Sequence, residues 1–447
     1  MAFQAFLTYK HFMDSGQENN QNIFAKIKNL FSKNNYATDK LIKIINFFKE
    51  QQKFITAIVC SAFLYGASIG MNLVILPLTF EEYGFSKTII GLLMSAEIAA
   101  TLFVAPLLPK LTRKHHVKTI LIAAVIIRNL SLAIIPLGSG LFYWLPIMLM
   151  FGLGGFTFFT IMQVWVNNNS VTEVRGMTIG ILTAALSLGI AVGPVLLNVT
   201  KPIDAFYLSA IFGVLSFAPL SFITSTLPSY IHAKKIELLT VIKQAPLPII
   251  SGAMVDFIFF SLSSFIVLYG VASGLAKEDA ALLISAMLIG GIVLDIPLGI
   301  IADIVDRRKM IIISSFIILI CCQILPYIIN NSMFAALLFA VWLGAIGAIY
   351  TCSLALLGDY FKDSNLIAAN SAFSFIGCLG GLSGVACSGI AIDLIGPSGL
   401  TFTISIIVLL YLLFTGYLYY NSYFKLQTIQ KSGAECEHLS SADPGSR

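Results

Sequence analysis

The sequence predicts an all-α membrane protein of twelve transmembrane helices, arranged as two pseudo-symmetric six-helix bundles. Three observations carry that prediction: the scarcity of charge, the recurrence of long apolar runs, and the one-sided placement of basic residues between those runs. Hydrophobic side chains make up 57% of the 447 residues and charged ones only 11%. A soluble domain has about a quarter of its residues charged, so this chain cannot cover a water-facing surface and its natural solvent is lipid.

Spanning a bilayer takes about 20 apolar residues. Runs of that length fall at 54–80, 86–109, 118–136, 141–166, 176–198, 203–226, 247–272, 279–303, 310–329, 333–358, 366–392 and 399–422. With the N-terminus placed in the cytoplasm, 23 Lys and Arg side chains lie on the cytoplasmic side. Only Lys87, Lys201 and Lys277 lie outside, and Arg128 falls within a span. Positive charge is retained on the cytoplasmic side of membrane proteins, and a wrong helix count would scramble this alternation. Both termini are therefore expected inside.

The polar segment 227–246 separates six spans from six. The expected organisation is an N-terminal arm (1–53), a first bundle (54–226), a central loop (227–246), a second bundle (247–424) and a tail (425–447). Within the arm, residues 22–33 and 40–50 place apolar side chains on one helical face among lysines. They read either as a basic amphipathic surface on anionic lipid or as a disordered extension. Six of the seven cysteines lie inside apolar runs, and no C-x-x-C pair occurs, so neither a disulfide framework nor a zinc site is indicated.

The most informative motif runs Gly299-Ile-Ile-Ala-Asp303-Ile-Val-Asp306-Arg307-Arg308-Lys309, at the end of the eighth span. The glycine permits close helix approach, the aspartate sits where it can meet a helix N-terminus, and the arginines can form charge-assisted bonds. Glycine, aspartate four on, then a basic pair four on again resembles the loop signature of the major facilitator superfamily. The matching first-half segment, Ala105 to Lys114, keeps the basic pair Arg113-Lys114 but has Pro109 in place of the acid. The segment from Gln163-Val-Trp165-Val-Asn167 through Arg175-Gly176 to Gly189-x-x-x-Gly193-Pro194 is similar to the YcaD-like branch of that superfamily. So is Tyr350-x-x-Ser353-Leu-Ala355-Leu-Leu-Gly358-Asp359. The resemblance implies two bundles around a central cavity, alternating access, and a lock in which Asp303 meets the start of the fifth span near Arg175. Gly189, Gly193 and Pro194 read either as helix packing or as part of an antiporter motif.

Ionisable residues inside spans are costly and default to functional candidates. Glu97, Arg128, Asp256 and Asp295 are the four, with Gln163 standing where the branch usually carries an acid. Glu97 and Arg128 both reach the midplane at 1.5 Å per residue, so an ion pair between them is possible, either structural or part of transport. Asp256 and Asp295 could each take a proton or a cationic solute. His115 and His116 lie in a loop and read as solvated. No nucleotide fingerprint is visible and no cofactor or nucleic-acid partner is expected.

These features together predict a monomeric secondary transporter of a small-molecule solute in the bacterial inner membrane. It is expected to be coupled to protons, with efflux ahead of uptake. The competing class is a membrane sensor or assembly factor that keeps the transporter fold. An enzyme is not expected, since the spans carry neither a paired-His metal motif nor a Ser/His arrangement.

Overall fold

The computed structural model describes residues 51–169, 175–197, 202–221, 238–361 and 363–418. The arm up to residue 50, most of the central loop and the tail lie outside the described residues. The first bundle consists of α1 (Gln52–Glu82), α2 (Lys87–Lys114), α3 (Val117–Ile134), α4 (Leu141–Asn169), α5 (Arg175–Leu197) and α6 (Pro202–Leu215). The second consists of α7 (Pro246–Ala272), α8 (Lys277–Ile304), α9 (Arg307–Ile328), α10 (Ser332–Tyr360), α11 (Asp363–Ile395) and α12 (Gly399–Leu418). Eleven spans are long and apolar enough to cross a membrane within the described residues, the sixth being Asp204–Ser221, which joins α6 to the turn that follows it. The twelfth, α8, has 28 residues. The protein is an all-helical, multi-pass membrane protein.

The sixth span departs from its expected shape. In place of a continuous helix over 203–226, α6 stops at Leu215 and a separate turn, Ala218–Ser221, follows. Pro219 explains the break: it has no N–H to give to the carbonyl four residues back. Ser216 closes the end instead, its hydroxyl donating to the Gly213 carbonyl at 2.7 Å.

Each half contains a glycine seam along which two helices pack backbone to backbone. In the α1–α5 seam, a Cβ on Gly70 would meet the Ile190 carbonyl oxygen at 2.0 Å, one on Gly189 the Phe63 oxygen at 2.1 Å, and one on Gly193 the Ala67 oxygen at 2.6 Å. The α7–α11 seam repeats this at Gly380 against the Ala253 oxygen (2.1 Å) and Gly384 against the Phe257 oxygen (2.4 Å). Small residues one turn apart let membrane helices approach this closely, replacing the hydrophobic drive that lipid does not supply.

The halves also share a turn. Both α1 and α7 end on a left-handed glycine, Gly84 (φ 80°) and Gly274 (φ 98°). In both, the residue after the glycine donates its N–H to the carbonyl five back: Phe85 to Phe80 at 3.2 Å, Leu275 to Gly270 at 3.0 Å. Glycine is needed because a side chain strains that backbone region.

The halves meet through α2 against α11 and α5 against α8, with α1 and α7 touching at the centre. Buried apolar residues of both halves fuse into one cluster at the end that carries the α1–α2 and α7–α8 turns, where Met71, Phe80 and Leu93 join Phe265 and Leu283; within the second half the cluster continues to Met310 and Leu356 at the other end. At the other end, which carries the basic α2–α3 and α8–α9 connections, each half also has a cluster of its own. One is built on Phe54, Leu108, Leu121 and Trp165, the other on Val241, Leu357, Phe361 and Phe373.

Candidate functional site

Three sites combine charge with position. The first lies where the fused cluster reaches the surface, at the start of α2. The leading N–H groups of a helix have no partner within it and carry a partial positive charge. In α2 three of them are satisfied from two directions. Ser86 caps the helix and its Oγ accepts from the Ile89 N–H at 3.3 Å. Asp393, near the end of α11 in the other half, takes the rest. Its Oδ1 accepts the Lys87 N–H at 2.8 Å, and its Oδ2 accepts the Thr88 N–H at 2.7 Å and the Thr88 hydroxyl at 2.6 Å. Lys277, at the start of α8, pairs across the halves with Glu82 at 2.6 Å, and Lys87 pairs with Glu81. Below them, a Cβ on Gly389 would meet the Lys87 carbonyl oxygen at 2.5 Å and one on Gly91 the Val385 oxygen at 2.9 Å. Ser95 then donates to the Leu382 carbonyl at 3.4 Å. The α2–α11 contact is thus continuous for two turns beneath a charged clasp.

The second site is inside the first bundle. Arg128 of α3 is 2% exposed, and two kinds of contact hold it. Its Nη1 donates to Ser68 Oγ of α1 at 2.9 Å. Its guanidinium lies 4.8 Å from the Tyr65 ring centroid and 4.9 Å from that of Phe151. Ser68 and Ser209 share a hydrogen bond of 2.9 Å, and Ser209 donates to Asn72 Oδ1 at 2.9 Å. Tyr65 is fixed in turn by donating to the Gly155 carbonyl at 2.8 Å. Gly213 of α6 leaves room for this cluster, since a Cβ there would meet Asn129 Oδ1 at 2.0 Å and Arg128 Nη1 at 2.8 Å. Two buried donors, Arg128 Nη2 and Asn72 Nδ2, have no partner. Glu97 of α2 is within electrostatic reach of Arg128, but the two form no direct ion pair here. Arg128 spends its bonds on α1 instead.

The third site is Asp256 of α7. It is half-buried on the most enclosed of the spans and its carboxylate points at α11, where a Cβ on Gly377 would meet Oδ2 at 2.2 Å.

The eighth-span motif is described only in part. The side chains of Asp295, Gly299, Asp303 and Arg175 lie outside the described residues. Asp306 caps α9, its carboxylate accepting the Arg308 N–H at 2.9 Å. The arginines reach α10: Arg307 pairs with Asp359 at 2.6 Å and Arg308 donates to the Tyr360 hydroxyl at 3.3 Å. Gln163 is exposed on α4. Sequence reasoning did not single out Asp393, Thr88, Glu82 or the serines around Arg128. An acid at a span end and a serine in an apolar run are ordinary, and only the tertiary partner gives them meaning.

Comparison with known proteins agrees with this architecture. The family model described as Major Facilitator Superfamily matches residues 58–282 and 248–439. An uncharacterized MFS-type transporter, YfkF of Bacillus subtilis (strain 168), is 24% identical over 337 residues, covering 72% of this chain and 85% of YfkF. Among solved structures, a point mutant of the nucleoside transporter NupG superposes with a TM-score of 0.70 at 12% identity, covering 81% of this chain and 99% of NupG. A bacterial homolog of the human lysosomal transporter Spinster, inward-facing and occupied, superposes with a TM-score of 0.65 at 12% identity, covering 83% and 96%. With two helical bundles among the described residues and a family match running through both of them, the chain belongs to the major facilitator superfamily and is a membrane transporter.

Proposed function

We propose that this protein moves a small solute across the bacterial inner membrane by alternating access, driven by protons, with efflux favoured over uptake. One observation carries the reading: the cores of the two halves are fused and clasped through Asp393 at one end, while at the other the core of the first half stands apart from those of the second. Rocking of two bundles about a central site requires such one-sided closure. The excess of Lys and Arg at the opposite end supports assigning that end to the cytoplasm, and in this reading the conformation described is closed to the outside. Both termini are then cytoplasmic, and a monomer suffices for the cycle.

In this reading Asp303 closes the cytoplasmic side in the alternate state by meeting the first turn of α5 near Arg175. Glu97 is the proton carrier. Ionised, it draws on Arg128, whose Nη2 is free; protonated, it releases α2, the helix that Asp393 grips. Spin labels placed across the α1–α2 and α7–α8 turns of protein in liposomes test the cycle. Their distance distribution should show a second, longer population that grows or shrinks with an imposed pH gradient. A single distance under every gradient, with no pH change coupled to flux of any solute tried, would remove the transport reading in favour of a sensor.

A further inference from the structure

The second bundle departs from the first on its glycine seam, with Asp256 and Phe260 standing where α1 has Gly66 and Gly70. The matching turns at Gly84 and Gly274 set an offset of 190 positions between α1 and α7, and that offset carries Gly66 onto Asp256. At Gly66 the seam is backbone against backbone, for a Cβ there would meet the Leu186 carbonyl oxygen at 2.2 Å. At Asp256 a carboxylate fills the seam, and α11 supplies the space with Gly377. The turns on either side of it hold rings. A Cβ on Gly252 would meet the Phe373 ring at 2.7 Å, and one on Gly381 the Phe260 ring at 2.5 Å. Because 252, 256 and 260 follow one another by single turns, as do 373, 377 and 381, the carboxylate lies between the two rings along the seam. Tyr350 of α10 meets Phe373 edge-on with centroids 5.5 Å apart, and it is 41% exposed, so an aromatic ring bordering the site reaches accessible surface.

Among the described residues no cationic side chain pairs with Asp256. A carboxylate held in a low-dielectric interior takes up a proton or a counter-charge. Aromatic faces attract cations through their quadrupole, and apolar rings suit a weakly hydrated organic cation better than a strongly hydrated metal ion. Asp256 begins its approach about ten residues, or roughly 15 Å, from the start of α7, within the depth at which facilitators of this type hold solutes.

Resting on the transport reading above, we propose that Asp256, with Phe260, Phe373 and Tyr350, binds an organic cation, and that the solute is a lipophilic quaternary or protonated amine or its phosphonium equivalent. The test is equilibrium binding of radiolabelled tetraphenylphosphonium to the full-length protein in nanodiscs. Saturable binding is expected for the wild type and at least a tenfold weaker affinity for D256N. D256E, which keeps the charge, should bind more tightly than D256N. Gly377→Ala should weaken binding without touching the carboxylate chemically, because its Cβ takes the place of Oδ2. Thermal unfolding and monodisperse elution check that each variant folds; should D256N not fold, the D256E and Gly377→Ala affinities decide. Wild-type affinity in D256N, or in both D256E and Gly377→Ala, overturns the proposal. So does a wild type that titrates a proton in this site but shows no saturable tetraphenylphosphonium binding. Failure here leaves the spin-label distances free to support transport of another solute class. Invariant distances alongside intact Asp256-dependent binding would sink transport and keep the site.

Discussion

Asp393 and Thr88 are 305 residues apart in sequence, yet one carboxylate oxygen accepts both the backbone N–H and the hydroxyl of that threonine. The bond joins the two bundles, and it satisfies a helix terminus that would otherwise present unpaired donors. Three donors on one carboxylate fix the position of α2 against α11 more tightly than a surface ion pair could.

Asp393→Asn is expected to shift the resting population towards the state open at this end by about fivefold. That is about 1 kcal/mol, a value reduced from the usual strength of charge-assisted bonds because the site is solvent-accessible. Distances between spin labels at the two turns read the shift directly, and an unchanged distribution would make the clasp ornamental. Glu82→Gln breaks only the exposed Lys277 pair and should move the population by less than twofold.

Asp303→Asn should act in the opposite sense. If Asp303 closes the cytoplasmic side, its loss favours the conformation described here, and thiols on the cytoplasmic half of α5 become more reactive. Combined with Asp393→Asn, the two shifts should cancel in large part. Additivity in the same direction would show that the acids do not lock opposite states.

Arg128→Gln should destabilise the protein strongly, by about 3–5 kcal/mol as for removal of one member of a buried charged group. Arg128→Lys should not rescue it. An ammonium cannot lie flat between the Tyr65 and Phe151 rings while donating to Ser68. The double variant Arg128→Gln, Glu97→Gln should be more stable than at least one of the single variants. Thermal unfolding in detergent across the full double-mutant cycle measures the coupling, and strictly additive losses would show that Glu97 and Arg128 act independently.

Gly70→Ala should cost about 1–3 kcal/mol through overpacking, since its Cβ must displace backbone and not a movable side chain. The melting temperature should fall, while Gly416→Ala, which meets nothing within 4 Å, should leave it unchanged.

Much of this architecture was legible in the sequence, and the reason is physical. A span must bury about 20 residues in hydrocarbon, so hydropathy alone places it. Arg128, Glu97 and Asp256 stood out because a charge inside such a run is costly. The seams were half legible. Gly189-x-x-x-Gly193 announced a close approach but not its partner, which is another glycine pair, Gly66 and Gly70, on α1. What the sequence did not disclose is where Arg128 directs its bonds, because Ser68, Ser209 and Asn72 come from two different helices. The break in α6 at Pro219 was readable in principle, since proline removes a helix donor, but the apolar run continues past it and masks the stop.

The two glycine turns have a mechanical consequence. In each, the left-handed glycine and the carbonyl bonds around it, Phe85 to Phe80 and Leu275 to Gly270, fix the path of the backbone as it leaves one span for the next. The α1–α2 and α7–α8 hairpins therefore behave as stiff prongs, each swinging as a piece with its own bundle. When this end of the molecule opens, the tear must run between the prongs, parting Glu82 from Lys277 and Thr88 from Asp393, and each hairpin carries its own hinge-free corner intact to the far side of the stroke.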